Sequence, residues 1–153
     1  MTETERLAAV EAIRTLKARY WRGVDRSDDD LVRSILHPDC VLDYTGCCTD
    51  PASGRDFLPA MNVVLRGRDS WAGGAFKAAN IVTVHQGHQQ EIDVTSATAA
   101  TGIWSFSDRF FNPAGVPFAR FSGYGFYYDS YEAVDGVWLL KTTQIERLRV
   151  EAE

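Results

Sequence analysis

The stretch VTVHQGHQQEIDV, from Val82 to Val94, holds two of the chain's three histidines, and the stretch YWRGVD closes on Asp25. A carboxylate that accepts Nδ1–H from an imidazole fixes the ring and leaves Nε2 as an acceptor. Such a pair is a general base that can give its proton back. On a strand His85 shares a face with Thr83 and Gly87, and His88 points to the other face unless a bulge at Gly87 shifts the count. Asp25 follows Tyr20, Trp21 and Val24, so it extends the apolar side of a helix, where a carboxylate is costly unless it meets a donor. Both residues also have plain structural readings. His85 can be a satisfied, partly buried strand histidine, and Asp25 can be a helix end or a cap for a helix starting near Ser27. Contact between the two would turn them into a base.

The elements that must bring them together can be read from the spacing of apolar residues. Leu7, Val10, Ile13, Leu16, Tyr20 and Val24 recur at steps of three and four, the signature of one helical face, and Thr2 with Glu5 suits a capping box. A second helix fits Ser27 to Leu36, opened by the acidic run SDDD and closed by Pro38. After a short strand, VLDYTG, the residues Ser53, Asp56, Phe57, Leu58, Met61, Val64 and Leu65 suggest a third helix, and RGRDSWAGGAF a loop. From Ile81 onward long strands are punctuated by turns at SATA, at NPAG and at Asp135-Gly136, a hairpin signal. Bulges and glycines at 87, 102, 123 and 125 would curve such a meander. Three helices ahead of a bent antiparallel or mixed sheet give an α+β cone enclosing a pocket.

Composition narrows the partners. With 153 residues the chain fits one domain spanning 1–153. Its net charge of −5 offers no footprint for nucleic acid or an anionic membrane. The N-terminus lacks the basic and apolar regions of a signal peptide, and no apolar run reaches membrane-spanning length. Cys40, Cys47 and Cys48 match no zinc spacing, so inert, reduced thiols and a cytoplasmic location are expected. Neither metal nor cofactor is called for.

The stretches VEAIRTLKARYWRGVDRSDDDLVRSILHPDCVLDY, VHQGHQQEIDVTSATAATGIWSFSDRFF and YGFYYDSYEAVDGVWLLKTTQIERLRVE resemble the SnoaL-like group of the nuclear transport factor 2 fold superfamily. Within it the nearest likeness is to the bile acid 7α-dehydratases, with scytalone dehydratases and γ-hexachlorocyclohexane dehydrochlorinases more distant. The resemblance implies the cone, and it implies catalytic roles for Tyr20, Asp25, His85 and Arg147. It leaves out chiefly residues 46–76, expected to cover the pocket mouth and carry specificity. One departure concerns a second catalytic histidine of scytalone dehydratase; the corresponding neighbourhood, GIWSFSD, offers Trp104 or Ser105. Another is angular: five helical residues advance about 140° beyond a full turn, so Tyr20 and Asp25 do not share one stripe, and Trp21 is the nearer helical neighbour of Asp25.

The functional expectation is a lyase of the dehydratase type, or an isomerase, acting on a hydrophobic cyclic or polycyclic small molecule. Tyr44, Trp21, Phe57, Trp104, Phe106 and Tyr124 are the candidate substrate contacts, with Tyr20 or Tyr44 donating to an oxyanion. The alternatives are a binding module of the same fold with no chemistry, core packing for the aromatic stripes, and a rim charge for Arg147. Large apolar residues on both faces of the sheet, Trp104 and Phe106 against Ile103 and Phe111, point to a homo-oligomer, a dimer or trimer.

Overall fold

A computed structural model describes residues 1–153, side chains at 74 and 75 excepted. Helix α1 (Glu3–Arg26) begins with the expected capping box between Thr2 and Glu5 and ends at Ser27 in the left-handed region. Its buried side is formed by Ala9, Ile13, Leu16, Lys17, Tyr20 and Trp21, whereas Leu7, expected on that face, is exposed. Helix α2 (Asp29–Ile35) is capped by the Asp28 side chain. Pro38 does not close it. Strand β1 (Leu36–Asp43) already starts at Leu36, and Pro38 sits where its register against the last strand is broken, between Leu36 and Val41. A proline is tolerated there because the ladder asks nothing of its missing N–H.

The third helix is not where the apolar spacing puts it. Residues 53–65 form turns, a short 3-10 turn at Pro59–Met61 and the start of strand β2 (Val64–Arg66), which pairs antiparallel with β1. Pro59 in mid-segment breaks an α-helix, and Val63 and Val64 suit a strand. The third helix, α3 (Gly74–Ala78), lies in the segment expected to be a loop.

The long strands β3 (Val82–Val94), β4 (Ala99–Phe111), β5 (Arg120–Val134) and β6 (Val137–Ala152) form the antiparallel meander. Asp135 and Gly136 both take positive φ, 51° and 79°, as a two-residue hairpin turn requires. The sheet order is β2-β1-β6-β5-β4-β3, with β1 and β6 parallel. Three helices therefore pack on a six-stranded mixed sheet that is not closed, and α1 lies against β3 and β6.

The concave face of β4 carries Ala100, Gly102, Trp104, Phe106, Asp108 and Phe110. On β5 the buried set is Phe121, Gly123, Gly125, Tyr127, Asp129 and Tyr131, so Tyr124, expected at the substrate, turns outward together with Phe126 and Tyr128. Tyr124 is 39% exposed and takes no part in the interior. At the bulge between Gly87 and Gln90 a Cβ on Gly87 would collide with the Trp21 ring, so the glycine lets α1 approach β3 closely. Across the helix–sheet interface Lys17, wholly buried, donates to Asp129 at 2.7 Å, and Asp129 also accepts from Tyr131 and Thr143. Among the described residues no helix is long and apolar enough to cross a membrane.

Candidate active site

Near its C-terminal end α1 turns Asp25 toward β3. The carboxylate accepts from Thr83 Oγ1 at 2.9 Å, from the His85 backbone N–H at 2.9 Å and pairs with His85 Nδ1 at 2.6 Å. A carboxylate already held by the strand's own backbone cannot swing away, so it fixes both the position and the rotation of the ring. The His85 side chain is only 5% exposed and lines an internal cavity of about 170 Å³. His88, within the bulge, is exposed and contacts Ser107 Oγ at 3.1 Å.

The polar end of the cavity holds Tyr20, Tyr44, His85, Asp108 and Arg147. Tyr20 and Tyr44 share a hydrogen bond of 2.6 Å between their hydroxyls. Burial pushes the hydroxyls of Tyr20, Tyr44 and Tyr127 well above the ordinary tyrosine range, so they remain protonated donors. Tyr20 and Asp25 reach one site from different stripes because the cavity runs along the last turn of α1, where Gly23, Val24 and Ser27 also line it.

Arg147 is no rim charge. Its side chain is 4% exposed, donates twice to Asp108, at 2.8 and 2.7 Å, and sends Nε–H to the Cys47 carbonyl at 2.6 Å. Desolvation works against its charge, but Asp108 outweighs that and raises the guanidinium above its ordinary value. Asp108 is the residue that sequence reasoning missed. Register places it directly opposite His85 on β4, so Asp108, and neither Trp104 nor Ser105, occupies the place across from the histidine. The signal was an acidic residue in phase with Trp104, Phe106 and Phe110.

The remaining wall is apolar, with Met61, Val63, Leu65, Trp71, Phe76 and Ile145 among its residues, several of them from the 46–76 segment. Asp29 pins that segment down by accepting from Trp71 Nε1 at 3.2 Å and Lys77 Nζ at 2.7 Å, while Arg33 donates to the Trp71 carbonyl. Of the expected substrate contacts, Tyr44 lies at the cavity. Trp21, Phe57, Trp104 and Phe106 are core residues outside its lining: Trp21 packs edge-on against Trp104 and Tyr127, Phe57 against Phe121, and Phe106 against Tyr127 and Arg147. The aromatic stripe of β4 is thus mostly structural, with Phe110 its cavity-lining member.

Residues 5–144 match the SnoaL-like domain. The chain belongs to the SnoaL-like family. Among solved structures, this SnoaL-like protein is similar to a scytalone dehydratase candidate from Novosphingobium aromaticivorans, with 20% identity, a TM-score of 0.76, and coverage of 99% of this chain and 92% of that one. It is similar also to the type 3 hexachlorocyclohexane dehydrochlorinase from Novosphingobium barchaimii, at 20% identity and a TM-score of 0.72, covering 99% and 94% of the two chains. At these identities the likeness shows a shared fold.

Proposed function

We propose that the protein is a lyase that works without a cofactor, removing water or a comparable leaving group from a neutral, apolar ring compound. The observation that carries this reading is the 2.6 Å contact between Asp25 and His85 at a cavity that the imidazole lines. In the proposed reaction Nε2 takes the proton from a carbon beside a carbonyl, and the electron pair moves onto the carbonyl oxygen. Tyr20 or Tyr44, kept protonated by burial, donates to that oxygen. When the carbonyl re-forms, the electron pair makes a carbon–carbon double bond and the β-hydroxyl departs, leaving as water with the proton from Nε2. Returning the same proton to a different carbon would be an isomerisation. Arg147 has five N–H donors; Cys47 and Asp108 engage three, and the others suit a ligand oxygen.

Size and polarity restrict the substrate. A dry apolar cavity of ~150 Å³ holds benzene, and pockets for drug-sized ligands run to roughly 300–1,000 Å³. A cavity of about 170 Å³ therefore suits one ring, or two small ones, better than a polycycle. The exposed apolar side chains on the convex face of the sheet, Val82, Val84, Phe111 and Tyr128, support assembly of two or three copies through that face. Three free, buried cysteines fit a reducing compartment such as the cytoplasm.

The test is to follow dehydration of 3-hydroxycyclohexanone to cyclohexenone by absorbance, beside larger decalone and steroid β-hydroxyketones. The wild type is expected to convert the single-ring ketone far faster than His85→Ala and Asp25→Asn. Binding of these compounds with no turnover in any form would favour a non-catalytic binding module.

A further inference from the structure

Two carboxylates face His85, and only Asp25 has been given a task. Asp108 Oδ2 lies 3.8 Å from Nε2, the nitrogen that Asp25 leaves open, and accepts from Arg147 Nη2 at 2.7 Å. The arrangement is built across four strands. His85 on β3 is opposite Asp108 on β4, Asp108 is opposite Gly123 on β5, and Arg147 reaches over Gly123 from β6. A Cβ on Gly123 would collide with both Asp108 Oδ1 and Arg147 Nη1, so the missing side chain is the space that the ion pair fills.

Stability does not explain the arrangement. A buried ion pair at best about breaks even with apolar residues of the same volume. Charge does offer an explanation. Asp25, Asp108 and Arg147 sum to −1 around a neutral imidazole and balance an imidazolium. The other titratable groups facing the cavity are Tyr20 from α1, Asp29 from α2, Tyr44 and Cys47 after β1, and Tyr127 from β5. Asp29 is occupied by Lys77 and Trp71, and the buried tyrosines are neutral.

We propose that Asp108 is a positioning residue for His85: held by Arg147 across from the ring, it accepts from Nε2–H, closing the 3.8 Å gap, once the ring has taken the substrate's proton, and it keeps that proton within the cavity until the leaving group accepts it. No proton passes to Asp108. This role rests on the elimination reading above and adds a second acceptor to the base. It also gives the site a preference, since a ligand carboxylate beside Nε2 would meet Asp108.

The experiment is NMR of the imidazole nitrogens and their protons across pH, with His85 assigned through His85→Asn. Compared with wild type, Asp108→Asn is expected to lower the His85 midpoint by about half a pH unit or more, because an opposite charge at this range favours the charged ring. Asp108→Glu should recover part of the shift, which a merely structural role would not do. An unchanged midpoint in folded Asp108→Asn overturns the inference and leaves the elimination reading standing. Should Asp108→Asn not fold, the wild type decides: in the imidazolium form Nε2–H of His85 is expected to exchange with water far more slowly than that of exposed His88, and equal rates overturn the inference. A His85 that never titrates removes both readings together.

Discussion

Asp25 holds His85 twice, by the backbone N–H and by the ring. The two contacts make separable predictions. Asp25→Asn keeps an acceptor for the backbone but withdraws the charge that stabilises the imidazolium, so turnover is expected to fall ~10²–10⁴-fold with the melting temperature nearly unchanged. Asp25→Ala removes the backbone's partner too and should cost a further ~1–3 kcal/mol of stability. Steady-state rates beside urea melts separate the effects; equal stability losses in both variants would contradict the double grip.

The pair Lys17–Asp129 lies wholly out of water. Burial pulls the Lys17 ammonium below the ordinary lysine range, and Asp129 opposes that pull. Lys17→Met strands the carboxylate, at an expected cost of ~3–5 kcal/mol. Lys17→Met with Asp129→Asn should be markedly milder than Lys17→Met alone. A double variant as unstable as the single one would show that the pair is not coupled.

High pH should unfold the protein through its interior phenols. Tyr20, Tyr44, Tyr127 and Tyr131 have hydroxyl pKa values raised by burial. Between the unfolded value, about 10, and the raised folded values, the native state keeps protons that the unfolded chain gives up, so stability falls as pH rises through that window. Below it this contribution is fully present. Phenolate absorbance from these four residues should therefore grow together with loss of circular dichroism, and ionisation ahead of unfolding would contradict it.

Gly87→Ala is expected to cost ~1–3 kcal/mol by overpacking, since the new methyl meets the Trp21 ring. Differential scanning calorimetry measures the loss. A variant as stable as wild type would mean that α1 can retreat from β3 freely.

If copies meet through the convex face, sedimentation at micromolar concentration should show a dimer or trimer, and Val84→Lys with Phe111→Glu should reduce it to a monomer. A wild-type monomer removes that proposal.

Much of this is legible in the sequence. Period and capping specified α1, the Asp135-Gly136 pair specified the last hairpin, and a carboxylate on the apolar side of α1, together with the family resemblance, pointed to Asp25 beside His85. The 53–65 segment misled because its apolar residues fall at helical spacing by coincidence, while Pro59 forbids the helix. β5 misled because aromatics occupy both of its faces. There Gly123 and Asp129 were the better guides, as positions where a cavity ion pair and a buried lysine need room and a partner. Asp108 and Lys17 went unread for a shared reason: each is a charge standing in phase with core residues, and each is satisfied only by a strand far away in the chain.

The parallel pairing of β1 with β6 has a consequence for biosynthesis. β6 leaves the ribosome after the other five strands, yet it is inserted between β1 and β5 and delivers Arg147. Until it arrives, the β1–β2 pair has no link to the β3–β5 meander, and the apolar surfaces of both halves wait in the open during translation. The hollow is thus among the final products of folding, and a nascent chain halted before β6 would be a client for chaperones, with nowhere to receive a small molecule.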